Sequence, residues 1–245
     1  MFKCPAGIYS GSDCIWLVGG RSEEYQAYDL EFTHRNADVW FSPSGHKWTQ
    51  LETLEGDYVD GVGSFNANFP AKRPIAPWYS RYGHSLTAMD ADGDGNDDAM
   101  VMMGGYSPEP SNDVWITTDG NEWVFDQYAP WPARAWHSSV VFKGQVYVVG
   151  GAPLTNDVWV GTLVPRAGFE GLSFANATTN EPIAVDPRRL TMKFEMKQPY
   201  MSEDVPFSPR SGHCMMTQIR RNDYNETTDI KDPGSKTDRM FLVGG

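Results

Sequence analysis

The chain has 245 residues, 32 acidic against 20 basic side chains, and a net charge of −12. Binding to phosphate backbones needs clustered Lys and Arg, so this balance excludes nucleic acid, and on the same ground anionic membrane surfaces, as partners. With 24 Gly, 17 Pro and 13% aromatic residues the composition suits many short strands joined by tight turns, and no apolar run approaches the roughly 20 residues of a membrane span.

In chain order, the first unit (1–54) reads as strands over 4–9, 14–18, 38–42 and 47–51, with turns at 10–13 and 43–45. The second (79–128) repeats it at 84–89, 99–103, 113–118 and 122–127, with Gly, Asn and Asp between strands as hairpins require. The third (134–198) has strands at 136–142, 145–149 and 157–162. No Trp follows where Trp48 and Trp123 stand in the earlier units. Its fourth strand is therefore assigned after an insertion over 164–189, at 190–197, where Leu190, Met192, Phe194 and Met196 alternate with polar residues. A last, incomplete unit (210–245) has strands at 212–218 and 239–243, joined by a long mixed-charge insertion over 220–238.

Three short elements recur along these units. Gly-Gly pairs at Gly19-Gly20, Gly104-Gly105, Gly150-Gly151 and Gly244-Gly245 each close an apolar run. Asp-Val-Trp follows three of them, at Asp38–Trp40, Asp113–Trp115 and Asp157–Trp159. Arg-x-x-His precedes three, at Arg81–His84, Arg134–His137 and Arg210–His213. Gly105 to Gly151 spans 46 residues and Asp113 to Asp157 spans 44, close to the roughly 50-residue period of propeller blades. A residue that recurs once per repeat is architectural before it is catalytic. The Arg and His residues are expected to bridge neighbouring blades, and Trp40, Trp115 and Trp159 to fill the space between them.

This pattern of Gly-Gly, Asp-Val-Trp and a later Trp resembles the kelch family over nearly the whole chain. The resemblance implies an all-β, kelch-type β-propeller, incomplete at about three and a half four-stranded blades, and so a fragment of a longer protein. It also implies a non-catalytic protein-interaction or ligand-binding scaffold. An enzyme reading on the same fold would be a galactose-oxidase-like copper enzyme or a glycan-acting propeller. No Tyr-His ligand pair stands out for copper, and Tyr9, Tyr82 and Tyr147 fall on expected strands or beside Arg-x-x-His. Thr117–Trp123 resembles a shortened Asp-box of sialidase propellers, which is itself a turn. No catalytic residue is assigned. The expected partner is a protein, met by the aromatic and Pro-rich segments 70–79 and 128–131, with Trp78, Tyr79 and Trp131 as contacts; packing of these Trp residues under the loops is the alternative.

One loop has chemistry of its own. In Asp90-Ala91-Asp92-Gly93-Asp94-Gly95-Asn96-Asp97-Asp98, carboxylates at relative positions 1, 3, 5 and 9, Gly at 6 and a backbone carbonyl at 7 follow a Ca²⁺-loop spacing. They nominate Asp90, Asp92, Asp94, Asn96 and Asp98 as ligands. Val101 stands where an EF-hand carries its bidentate Glu. The loop instead resembles the calcium hairpins of integrin α-subunit propellers, with a structural role. Weak Ca²⁺ sites, the sequons Asn176-Ala177-Thr178 and Asn225-Glu226-Thr227, and a possible Cys4–Cys14 disulfide point to an extracellular or secretory address, with the cytoplasm as the alternative. Cys214, on an expected strand, is read as a buried thiol.

Overall fold

The computed structural model describes residues 2–5, 12–22, 34–51, 77–93, 95–107, 109–169, 185–202, 204–218 and 238–245. Among the described residues thirteen strands form four antiparallel sheets. The first sheet holds β1 (Ile15–Ser22), β2 (His34–Ser42) and β3 (Thr49–Gln50). The second holds β4 (Ser85–Met89), β5 (Ala99–Ser107), β6 (Glu109–Thr117) and β7 (Val124–Tyr128). The third holds β8 (Ser138–Phe142), β9 (Gln145–Val149), β10 (Val158–Pro165) and β11 (Leu190–Gln198), and the fourth β12 (Cys214–Gln218) and β13 (Arg239–Val243). The chain is all-β, with two complete four-stranded antiparallel sheets, a construction compatible with a propeller-like fold. Among the described residues the sheets do not close into a ring.

Among the described residues the first sheet has three strands; Lys3 bridges Asp13, and most of the strand expected over 4–9 lies outside the described residues. One expectation changes: the Gly-Gly pairs do not end every second strand. β1 and β5 run through them, with register shifts at Val18/Gly20 and Met103/Gly105. These are β-bulges, in which positive-φ glycines let the strand bend and continue. The strand at Leu190–Gln198 does pair with β10, where the alternation placed it.

The core explains why β5 is apolar almost without interruption. Period-2 alternation sends Met100 and Met102 into a cluster with Val18 and Val39 of the first sheet. It sends Val101 and Met103 into another with Val146 and Val148 of the third. A strand covered on both faces has no solvent side, so it loses the usual polar alternation. Each of these Met residues is at most 2% exposed, and such burial contributes about 1.5–3 kcal/mol per side chain. The end sheets differ. Ile15 and Leu17 occupy in β1 the places of Met100 and Met102, yet are 50% and 48% exposed. On β12 and β13, Met216, Phe241 and Val243 are also largely exposed.

Gly150 shows how tightly the sheets meet. Its φ is +65°, and an added Cβ would lie 2.6 Å from His213 Cε1 and 2.7 Å from the Arg210 carbonyl of the next unit. Gly144, in the β8–β9 turn, has φ +74° and open space around it. Gly144→Ala is expected to cost about 1 kcal/mol for the backbone conformation alone. Gly150→Ala should cost at least twice as much, read as the shift in urea midpoint. Equal costs would show that the contact across the sheets is not tight.

Candidate functional site

The Asp-Val-Trp element works because residues two apart on a strand share a face. Trp40, Trp115 and Trp159 each donate Nε1–H to the Asp two residues earlier, at 2.6, 2.6 and 2.8 Å. In the second and third sheets an arginine completes the cluster. Arg81 donates to both carboxylate oxygens of Asp113 at 2.7 Å and to the Gly104 carbonyl at 2.9 Å. Arg134 does the same to Asp157 at 2.6 and 2.8 Å and to Gly150 at 3.0 Å. Both arginines are 3% exposed. Burial pushes the Asp113 and Asp157 carboxyls up. The guanidinium bonds and charge, with those of neighbouring hydroxyl and indole donors, outweigh it and hold both below the usual carboxylate range.

These side chains were expected to bridge blades, and the geometry corrects that. Each guanidinium ties the second strand of its own sheet to the third. The bridge to the preceding sheet is made by the backbone, since the Gly20, Gly105 and Gly151 amides donate to the carbonyls of Arg81, Arg134 and Arg210. The fork is short, and its partners lie at adjacent strand ends. Arg210 has a carbonyl partner in Gly244 at 2.8 Å and no carboxylate among the described residues. In the first sheet Asp38 receives Trp40, while its other oxygen is buried without a hydrogen bond among the described residues.

The histidines of the same element are neutral packing groups. His137 is buried and shares a 2.9 Å hydrogen bond with Ser85 of the preceding sheet. Burial, reinforced by the charge of the neighbouring arginine, pushes His84 down to about 4 and His137 to about 3. Burial lowers His213 too.

The acidic loop is the hairpin between β4 and β5, closed by Asp98 N–H donating to the Met89 carbonyl at 3.1 Å. Asp90, Asp92 and Asp98 each place a carboxylate oxygen within 4.8 Å of the others. Asp90 accepts from the Gly93 and Gly95 amides at 2.6 and 2.9 Å, and Asp98 from Ala91 at 2.7 Å. These bonds curl the loop and hold the Asp90 and Asp98 carboxylates in place. Asn96 is described and exposed; Asp94 lies outside the described residues.

No protein-family model matches the chain, and no curated protein matches it.

The expected aromatic contacts separate. Tyr79 is 72% exposed, but Trp78 and Trp131 are 5% and 1% exposed, so the two indoles are core residues rather than contacts. Trp78 packs edge-on against Trp123 at 4.6 Å and Trp131 against Phe194 at 4.6 Å, filling the gaps between sheets. Beyond Pro130, which lies in the expected contact segment 128–131, the sequence reading missed a set of exposed groups at Pro132, Leu154, Met196 and Tyr200. They line a groove of about 370 Å³ beside Arg134 and Asp157. Nothing periodic marks these positions. The Thr117–Trp123 segment is a turn: Asp119 accepts the Asn121 and Glu122 amides and Trp123 Nε1 donates to the Gly120 carbonyl. The Ser42–Trp48 turn is built alike, with Trp48 donating to Gly45.

Cys4 and Cys14 form a disulfide with Cα atoms 5.0 Å apart. Cys214 was expected to be buried and is exposed, because it stands on the uncovered face of β12 with Met216 and Gln218. Both sequons lie outside the described residues. No helix among the described residues is long and apolar enough to cross a membrane.

Proposed function

We propose that this chain is a non-catalytic binding scaffold of kelch-type β-propeller architecture, stiffened by a structural Ca²⁺ loop. What carries the reading is the use to which the recurrent polar residues are put. Arg81 and Arg134 are held by the Asp113 and Asp157 carboxylates and His137 by Ser85 of the preceding sheet, the engagement of a framework rather than of free catalytic groups, although Arg134 and Asp157 also border the groove. A rigid sheet framework with exposed loops is a platform for a protein partner. The exposed rings of Tyr79, Tyr128 and Tyr200 and the Pro-lined groove are its apolar surface. The Cys4–Cys14 disulfide supports an extracellular or secretory address.

Calcium would be held by Asp90, Asp92 and Asp98, with Asp94 and the Asn96 carbonyl completing the shell. It would neutralise carboxylates that otherwise repel one another across a tight turn. Calorimetric titration is expected to show one Ca²⁺ bound per chain. At ten times Kd the ion should raise unfolding free energy by about 1.4 kcal/mol, and Asp90→Ala should remove both effects. A flat titration at millimolar Ca²⁺ would withdraw the metal. Copper-loaded protein incubated with galactose is expected to release no hydrogen peroxide; turnover would overturn the non-catalytic reading.

A further inference from the structure

The third residue of each Arg-x-x-His element sits in the left-handed region: Gly83 at φ 66°, Trp136 at 53° and Gly212 at 68°. Glycine takes this conformation freely, whereas a bulky side chain there is strained by roughly 1–2 kcal/mol. Two of the three repeats therefore use the residue the backbone asks for, and the third does not. The strain at Trp136 is held in place from both sides. Its N–H donates to the Gly83 carbonyl at 2.6 Å, and its carbonyl accepts from the Gly212 amide at 2.9 Å. Burial does not account for the indole, which is 41% exposed.

The indole is one of three rings. Its centroid lies 5.7 Å from Tyr82 and 6.3 Å from Tyr106, nearly parallel to the latter at 27°, and the two Tyr rings are 5.4 Å apart. Tyr82 and Tyr106 also stand outside the repeat, because the third unit has Ala135 and Ala152 at their places, joined by the same isolated bridge. Recurrence marks architecture in this chain. These three rings depart from it together, at one spot, the indole exposed and the two Tyr rings half-buried beside it.

We infer that Trp136, Tyr82 and Tyr106 form a platform that stacks a pyranose ring of a glycan. A pyranose has an apolar C–H face to lie on an indole and a hydroxyl rim to meet Tyr hydroxyls, and neither phenol has a hydrogen-bond partner among the described residues. A nucleotide is disfavoured because its phosphates would meet a chain of charge −12. A cationic ligand is disfavoured because the Arg21 guanidinium already lies 5.8 Å over the Tyr82 ring. The inference rests on the scaffold reading, in that the sugar is bound and not converted. The calcium titration tests that reading without any sugar, and the peroxide experiment reads turnover rather than binding.

Cellohexaose, mannohexaose and hexagalacturonate would be titrated by calorimetry into the full chain and its Trp136→Gly and Tyr106→Ala variants. At least one sugar is expected to bind and to shift the Trp136 indole N–H resonance. Affinity should fall at least about tenfold in each variant. Trp136→Gly, which restores the residue of the other repeats, should melt at the wild-type temperature or above. Absence of binding by all three sugars, or unchanged affinity in Trp136→Gly, would overturn the inference. So would a Trp136→Gly midpoint several degrees below wild type, because the indole would then be a packing residue.

Discussion

Replacing Arg134 with Met is expected to lower unfolding free energy by about 3–5 kcal/mol, the loss that follows when one partner of a buried ion pair is removed. The physical cause is what remains. Asp157 keeps its charge in a site where water reaches little of it, and the Gly150 carbonyl loses its donor as well. Against a typical total of roughly 5–15 kcal/mol this is a large fraction. Arg134→Met combined with Asp157→Leu should recover much of it, since neither charge is then stranded. Arg210 stands at the same place in the fourth unit with no carboxylate among the described residues, its guanidinium on the Gly244 and Ser208 carbonyls. Arg210→Met should cost no more than about 1 kcal/mol. Urea denaturation of the three variants decides the matter, and equal losses for Arg134→Met and Arg210→Met would refute the buried-pair account.

Mild acid should be nearly as damaging. His84 and His137 stay neutral in the fold down to about pH 4 and about pH 3, while in the unfolded chain they take up a proton near 6.5. Between those limits the unfolded state binds more protons, so stability falls as pH falls. The loss begins near pH 6.5, continues to about pH 4 for His84 and about pH 3 for His137, and is complete below. From pH 7 to pH 5 each histidine should account for about 2 kcal/mol, about 4 kcal/mol together. Asp113 and Asp157 act in the same direction at lower pH. Their depressed carboxyls lend stability above the ordinary carboxylate range that is lost as they are protonated. His137→Gln, which cannot titrate, should flatten the slope between pH 7 and 5 by about half. An unchanged slope would place the acid sensitivity elsewhere.

How much could be read beforehand varied with how local the cause was. The β4–β5 hairpin and its acidic loop were legible because carboxylate and glycine spacing and strand alternation are both properties of a few consecutive residues. β11 was found across a 24-residue gap from β10 because its alternation is strong. The Arg–Asp forks were half legible. Recurrence marked both partners, but their joining depends on which strand ends lie side by side, and the expected direction across blades was wrong. Trp78 and Trp131 stood between contact and packing for the opposite reason. A Trp in a Pro-rich linker looks the same in sequence whether its ring turns to solvent or under a sheet, and that is settled by the 4.6 Å contacts with Trp123 and Phe194. Cys214 failed, since strand membership does not say whether a second sheet covers that face.

The amino-acid order alone therefore determined the class of the fold, the repeat, the strand ladder and the acidic hairpin, because period-2 patterning and turn chemistry act over neighbours. Only the tertiary structure decided which recurrent residues pair, which aromatic rings are core, and that Trp136 occupies a backbone position built for glycine. Those outcomes depend on distances between residues far apart in the chain, and packing sets them where no local preference reaches.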